Sequence, residues 1–200
     1  MNKYARAFGV NKLLRQLLKN PFFGFFIHWL FQGILNMDKT ERVFKLSIDI
    51  ILTWIIGILL QPWLNIFSYV LGFWVAHSLN FIFNAQIWTL LRIYGYTYIT
   101  YEKYHTYIND IRVRISNEGS ISEAYAIGSL ARNEPWHPYT DFDIRLIRKK
   151  GLHNGIRSCL FTLIERSRAL FAKFPLDIYL LDDKNHLKDI NQDEEPYCLK

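Results

Sequence analysis

The sequence predicts an α+β fold preceded by membrane-associated helices, and three observations predict it. Charge is uneven: residues 1–100 carry nine Lys/Arg against three Asp/Glu, whereas residues 101–200 carry fifteen of each. A stretch of 25 residues, 63–87, contains no Asp, Glu, Lys or Arg, which exceeds the ~20 residues needed to cross hydrocarbon. Beyond residue 100 the apolar pattern switches repeatedly between a helical period and a period of two. The expected organisation is a helical region over 1–98, a small-sheet domain over 99–182, and a polar tail over 183–200 expected to be loosely ordered.

In the first part, residues 21–36 are apolar, aromatic and free of charge, but too short for a span. They suit an interfacial helix, with Lys12, Arg15 and Lys19 among anionic headgroups. Residues 43–60 and 63–87 form a transmembrane or re-entrant hairpin whose turn is expected at Gln61-Pro62. Lys39, Arg42 and Lys45 precede the hairpin and Arg92 follows it. By the positive-inside rule both ends, and with them the small-sheet domain, face the cytoplasm. His77, Asn80 and Asn84 share one helix face, where they either serve a function or hydrogen-bond the partner helix or a second copy of the chain. No secretory signal is expected, because a basic segment of twenty residues precedes the first apolar stretch and no small-residue cleavage site follows it.

The net charge of +6 sits beside apolar segments. It points to an anionic membrane surface rather than to nucleic acid, for which no Lys/Arg block is long enough. Cys159 and Cys198 stand in no CxxC or Cys/His pattern, so neither zinc nor a disulfide framework is expected.

In the second part, Tyr104, Tyr107, Ile108, Ile111 and Ile115 repeat at helical spacing. Residues 124–127 form a short strand that ends at Gly128-Ser129. Residues 141–147, DFDIRLI, alternate, with Asp141, Asp143 and Arg145 on one face and Phe142, Ile144 and Leu146 on the other. Residues 156–174 read as an amphipathic helix with Leu160, Leu163, Ile164, Leu170 and Phe171 toward the core. Pro175 stops it, and LDIYLL (176–181) is a further strand.

Asp141 and Asp143 carry the chemistry. Two carboxylates two residues apart on a strand point the same way, and both stay ionised at close range when a cation lies between them. Oxygen ligands suit Mg²⁺, and two metals ~4 Å apart clamp an in-line phosphoryl displacement. Asp177, on a later strand, is placed to act as third ligand and general base. Asp182 and Asp183 read as solvated strand-end acids. Gly128 lets backbone approach a phosphate, Ser129 offers a hydroxyl and an N–H, and Arg132 lies one turn on. Arg145 shares the acids' face and is expected to pair with one of them. Trp136 and His137 sit in the loop over the site, as structural residues or as acceptor contacts.

The stretch GSLARNEPWHPYTDFDIRLI resembles the DNA polymerase β-like nucleotidyltransferase superfamily, and most closely its minimal nucleotidyltransferase branch. That branch has a hydrophobic residue, Gly-Ser, an Ala-Arg pair and a Ser/Thr-Asp-x-Asp strand. The resemblance covers roughly residues 101–182. It implies a small mixed sheet with flanking helices and transfer of an NMP from an NTP, ATP among the candidate donors. It also implies Mg²⁺ on Asp141, Asp143 and Asp177 and phosphate contacts from Gly128 and Ser129. The chain departs from the branch in the Pro-, Trp- and His-containing loop between Arg132 and Thr140, and no helical-domain pattern follows residue 182. The base pocket is then minimal or supplied by a second subunit, and a homo-oligomer or partner protein is in view. The hairpin makes membrane lipids a partner and a lipid-linked or glycan-related acceptor the economical choice. Two rival readings stand beside this one: nucleotidylation of a partner protein, and a non-catalytic nucleotide-binding membrane adaptor.

Overall fold

The computed structural model of the protein describes residues 20–84, 87–96, 98–187 and 195–200. Lys12, Arg15, Lys19, the side chain of Arg92 and the tail stretch 188–194 lie outside the described residues. The architecture is α+β.

Helix α1 (Pro21–Phe31) starts where Asn20 accepts a hydrogen bond from Phe22 N and Pro21 occupies the first turn. It is shorter than the expected 21–36 because Gln32 and Gly33 take positive φ values of 46° and 76°. A 3₁₀ turn, Ile34–Asn36, then leads to α2 (Lys39–Leu64). Helix α3 (Phe67–Asn84) runs back along α2. The reversal is not at Gln61-Pro62. A proline removes a single backbone donor, and here the helix continues past it to Leu64. The turn is made where Asn65 takes φ 49°, and Ser68 N donates to Asn65 O. The two helices meet closely at Gly57 and Gly72: a Cβ on Gly72 would stand 2.9 Å from Thr53 O and 3.1 Å from Gly57 N.

The hairpin is inverted relative to a water-soluble helix pair. The buried residues of α2 are Glu41, Lys45, Asp49 and Gly57, while Ile50, Trp54, Leu59 and Trp63 are exposed. On α3, His77, Asn80 and Asn84 are buried and Val70, Phe73 and Trp74 are exposed. Such an apolar exterior is disfavoured in water. Among the described residues, α2 is the one helix long and apolar enough to cross a membrane. The polar stripe on α3 is satisfied inside the chain. His77 Nδ1 lies 2.9 Å from Asp49 Oδ2, Asn80 Nδ2 donates to Asp49 Oδ1 (2.7 Å), and Asn84 Nδ2 donates to Asn80 Oδ1 (2.6 Å). It serves here as glue between helices, with no second copy required.

A short α4 (Ile87–Ile93) leads to α5 (Tyr101–Asn117), capped by Thr100 and bearing Glu102 in its first turn and Arg114 in its last. Strands β1 (Ile121–Ile127), β2 (Phe142–Arg148), β3 (Leu176–Leu181) and β4 (Tyr197–Cys198) form a mixed sheet in the order β3-β2-β1-β4. The pairs β1–β2 and β1–β4 are antiparallel, and β2–β3 is parallel. The parallel pair is bridged by α6 (Leu152–Ala172), as parallel strands require. Within the tail, Tyr197 and Cys198 pair with β1, which the polar composition did not reveal. One face of the sheet (Ala124, Ala126, Ile144, Leu146, Ile178, Leu180) packs on α5 and α6 around Ile111, Ile115 and Cys159.

Helix α6 is turned the other way from the sequence expectation. Its buried face is Gly155, Ser158, Cys159, Thr162, Glu165, Arg166 and Ala169, whereas Leu160, Ile164 and Phe171 are exposed. Periodicity shows that a helix has an apolar face but does not say what that face meets. The polar face is buried because it supplies charges and hydroxyls to neighbours. Glu165 receives a bidentate contact from Arg114 (2.9 Å from Nε to Oε1, 2.9 Å from Nη2 to Oε2), and Ser158 Oγ donates to Ser120 Oγ (2.9 Å).

Candidate active site

The site forms where β1 ends beside the start of β2. Ile127 is the register partner of Asp143, so the next residue, Gly128, turns over the Asp143 side chain. Gly128 has φ 75°, and a Cβ there would stand 2.8 Å from Asp143 Oδ2. A residue without a side chain is needed on both counts. Across the parallel ladder, Asp143 is the register partner of Asp177, which puts both side chains on the same face of adjacent strands. Asp141 precedes β2 by one residue and is half-buried, and Tyr104 Oη reaches toward its carbonyl at 3.4 Å. Gly128, Asp141, Asp143 and Asp177 are thus brought to one corner of the sheet.

Ser129 opens a closed turn in place of a helix: Arg132 N donates to Gly128 O (3.0 Å), Glu134 N donates to Ser129 O (2.9 Å), and Asn133 takes φ 54°. Arg132 points to Glu134 in a forked contact, 2.6 Å from Nε to Oε1 and 3.1 Å from Nη2 to Oε2. The Arg132 guanidinium holds the Glu134 carboxyl below its usual range. Trp136 packs against the core and meets Tyr101 edge-on at 5.7 Å. His137 Nδ1 accepts from Tyr139 N (3.0 Å), and the His137 backbone N–H donates to Thr140 Oγ1 (3.0 Å). Both residues shape the loop.

Asp177 is 1% exposed and Arg145 3%. Arg145 Nη2 lies 3.5 Å from Asp177 Oδ2, and Nη1 donates to Asp177 O (3.1 Å) and Ile144 O (2.8 Å). Its guanidinium rests over the Tyr179 ring at 4.8 Å. Burial lowers the Arg145 pKa, and the nearby Asp143 charge works against that shift. The sheet face that carries Asp143 and Arg145 is therefore covered around Arg145. Part of the cover comes from the first part of the chain: a Cβ on Gly33 would stand 2.8 Å from Tyr179 Oη.

As a cation site, the corner fits in part. Asp141 and Asp143 offer hard oxygen donors two residues apart beside bare Gly128 backbone, which matches Mg²⁺ chemistry. Asp177 has a buried cation next to it already. Among the described residues no group of three or more His, Cys, Asp or Glu is gathered as a metal cage.

A second polar assembly lies at the outer edge of β3, the side away from β2. Leu180 N donates to Glu41 Oε2 (2.8 Å) and Asp182 N to Asp38 Oδ2 (2.7 Å), while Thr40 N donates to Asp182 Oδ2 (3.1 Å). Arg166 Nη2 stands 2.5 Å from Glu41 Oε1, off the angle of a hydrogen bond, and also donates to Ile178 O. Arg166 Nη1 donates to Asn84 Oδ1 (3.2 Å). The start of α2 thus covers the sheet edge and crosses the expected boundary at residue 98. Asp182, read from sequence as a solvated acid, bonds Thr40 and, at 2.6 Å, Arg148. The signal that was available is the pair Asp38 and Glu41 opening an apolar helix, together with a lone Arg166 on the polar face of α6.

No family model matches the chain, and no curated protein and no solved structure matches it.

Proposed function

We propose that the chain is a membrane-anchored, Mg²⁺-dependent nucleotidyltransferase that moves an NMP from an NTP to an acceptor hydroxyl and releases pyrophosphate. The observation that carries this reading is the corner itself: Gly128 backbone lies against the Asp143 carboxylate, and Asp177 lies opposite in register. The acceptor oxygen attacks the α-phosphorus in line, a P–O bond forms, and the bond to the bridging oxygen breaks. Bound Mg²⁺ would supply charge neutralisation at the phosphates. Asp141 and Asp143 are the residues to hold it. Gly128 N–H and the Ser129 hydroxyl are assigned to phosphate oxygens. Asp177 is assigned to the acceptor proton, a role that requires Arg145 to release its carboxylate. Arg132 reaches a phosphate on leaving Glu134. The apolar exterior of the hairpin supports membrane lipids as partners and a lipid-linked acceptor, and the basic residues Lys39 and Arg42 before the hairpin support a catalytic domain on the cytoplasmic side.

The Arg145–Asp177 contact favours a second reading, a nucleotide-binding membrane adaptor without chemistry. Titration of each NTP with Mg²⁺ into the detergent-purified protein tests both. Metal-dependent binding that disappears in Asp141→Asn/Asp143→Asn supports the site, and pyrophosphate release on adding lipid acceptors then separates enzyme from adaptor. Absence of binding for every NTP overturns both readings.

A further inference from the structure

Helix α6 carries a stripe that no part of the proposed reaction uses. Leu152 (83% exposed), Ile156, Leu160, Ile164 and Phe171 (76% exposed) stand outward. At 3.6 residues per turn they fall within about a third of the helix circumference, along a helix about 30 Å long. Five large apolar side chains on one outward arc form a patch that water disfavours. The opposite arc is buried against the sheet and α5, so the helix cannot roll to hide it.

Two further observations say what covers the stripe. The first is orientation. A Cβ on Gly155 would meet Thr40 Cγ2 at 3.2 Å, Arg166 contacts Glu41 and Asn84, and the Phe171 ring lies 6.3 Å from Phe83. These partners all stand at one end of the hairpin: residues 40 and 41 open α2, and residues 83 and 84 close α3. Gly155, Arg166 and Phe171, spread over most of α6, therefore meet a single level of the hairpin. A helix in that relation runs across the hairpin axis, which is parallel to the bilayer plane when the hairpin enters a membrane. The second is continuity. Through Phe83 and Phe171 the stripe joins the apolar exterior of the hairpin, where Ile82 and Leu79 are also exposed. Exposed basic residues flank it, with Lys149, Lys150 and Arg157 near its start and Arg168 and Lys173 near its end. An apolar arc edged by Lys and Arg is the pattern of a helix lying in an anionic lipid interface.

We infer that α6 is an interfacial helix that rests its Leu152–Phe171 stripe in the headgroup region of an anionic membrane, so that the sheet domain lies on the bilayer instead of hanging from the hairpin. This inference rests on the membrane reading of the hairpin.

The experiment is spin-label depth measurement on the full chain in vesicles of phosphatidylglycerol and phosphatidylcholine. In a Cys198→Ser background, Ile156→Cys, Leu160→Cys and Ile164→Cys are labelled one at a time, with Ile55→Cys as the hairpin probe. Cys159 is buried, with its thiol pKa pushed up to about 12 by that burial, and does not compete for label. The expected result is that labels on α6 collide with oxygen more than with a water-soluble nickel chelate, at about 5–10 Å below the headgroup surface, and that the Ile55 label is deeper. An α6 label open to the nickel chelate while Ile55 is deep overturns the inference and leaves the hairpin reading standing. Both labels open to the chelate overturn both. Spin–spin broadening between chains, or shielding from both reagents, assigns the stripe to a second copy or to another protein segment and overturns the lipid assignment.

Discussion

At the scale of single residues, the candidate site is held by Gly128. An alanine there must adopt φ 75°, which costs an L-residue about 1–2 kcal/mol, and its Cβ must displace an Asp143 oxygen 2.8 Å away. Gly128→Ala is expected to destabilise the fold by about 1–2 kcal/mol and to weaken Mg²⁺-dependent NTP binding by about tenfold or more, since 1.4 kcal/mol is a factor of ten. Denaturation in detergent and nucleotide titration check the two effects separately. A stable variant with undiminished binding would remove Gly128 from the site. This part of the site was legible because its logic is local: a glycine at a strand end, and two acids at a spacing of two. The Arg145–Asp177 contact was less legible. Period-two alternation put Arg145 on the acids' face, but the neighbour of an edge strand is a matter of topology, and the cover supplied around Gly33 is more than a hundred residues distant in sequence.

At the scale of elements, the order of helices and strands followed from periodicity, while the medium met by each face did not. Residues 156–174 show a helical apolar face, and the natural reading turns it to the core. The structure instead buries Ser158, Thr162, Glu165 and Arg166. Arg166 and Glu41 are both almost fully buried, so removing one leaves the other as an uncompensated charge. Glu41→Ala is expected to cost about 3–5 kcal/mol, whereas Glu41→Leu/Arg166→Met is expected to recover part of that loss but not all of it, because the Leu180 N–H and the Ile178 carbonyl stay unpaired. Urea denaturation of the three proteins in one detergent checks this. If both variants lose the same stability, the pair's charges are not what matters. The second clamp titrates. Burial pushes the Asp182 carboxyl up, but hydrogen bonds from Thr40 and Arg148 and the Arg148 charge outweigh it and leave the pKa below its ordinary value. A depressed folded-state pKa gives stability that is fully present above the unfolded value of about 3.9 and is lost as pH falls through the lower folded value. Wild type is therefore expected to lose stability below pH about 4 more steeply than Asp182→Asn. Parallel melts between pH 5 and pH 3 read the difference in slope, and identical slopes would show that the clamp does not titrate there.

At the scale of the whole molecule, helical hairpin and sheet domain are one unit, because the domain's edge strand is finished by the hairpin. Strand β3 has β2 on one side. On its other side the Leu180 and Asp182 N–H groups donate to Glu41 and Asp38, and the Ile178 carbonyl accepts from Arg166. An edge strand with bare N–H and C=O groups is a template for pairing with another chain. The apolar composition of β3, Leu-Asp-Ile-Tyr-Leu-Leu, makes such pairing more favourable. Residues 99–200 produced alone are therefore expected to self-associate, although they hold every strand of the sheet and every candidate site residue. A fragment beginning at Asp38 keeps both carboxylates and is expected to protect the Leu180 amide from hydrogen exchange in detergent. Size-exclusion chromatography of the two fragments, with exchange at Leu180 in each, checks this. A monodisperse 99–200 fragment with a protected Leu180 amide would show that the sheet closes its own edge, and that the acids at the start of α2 serve the hairpin alone.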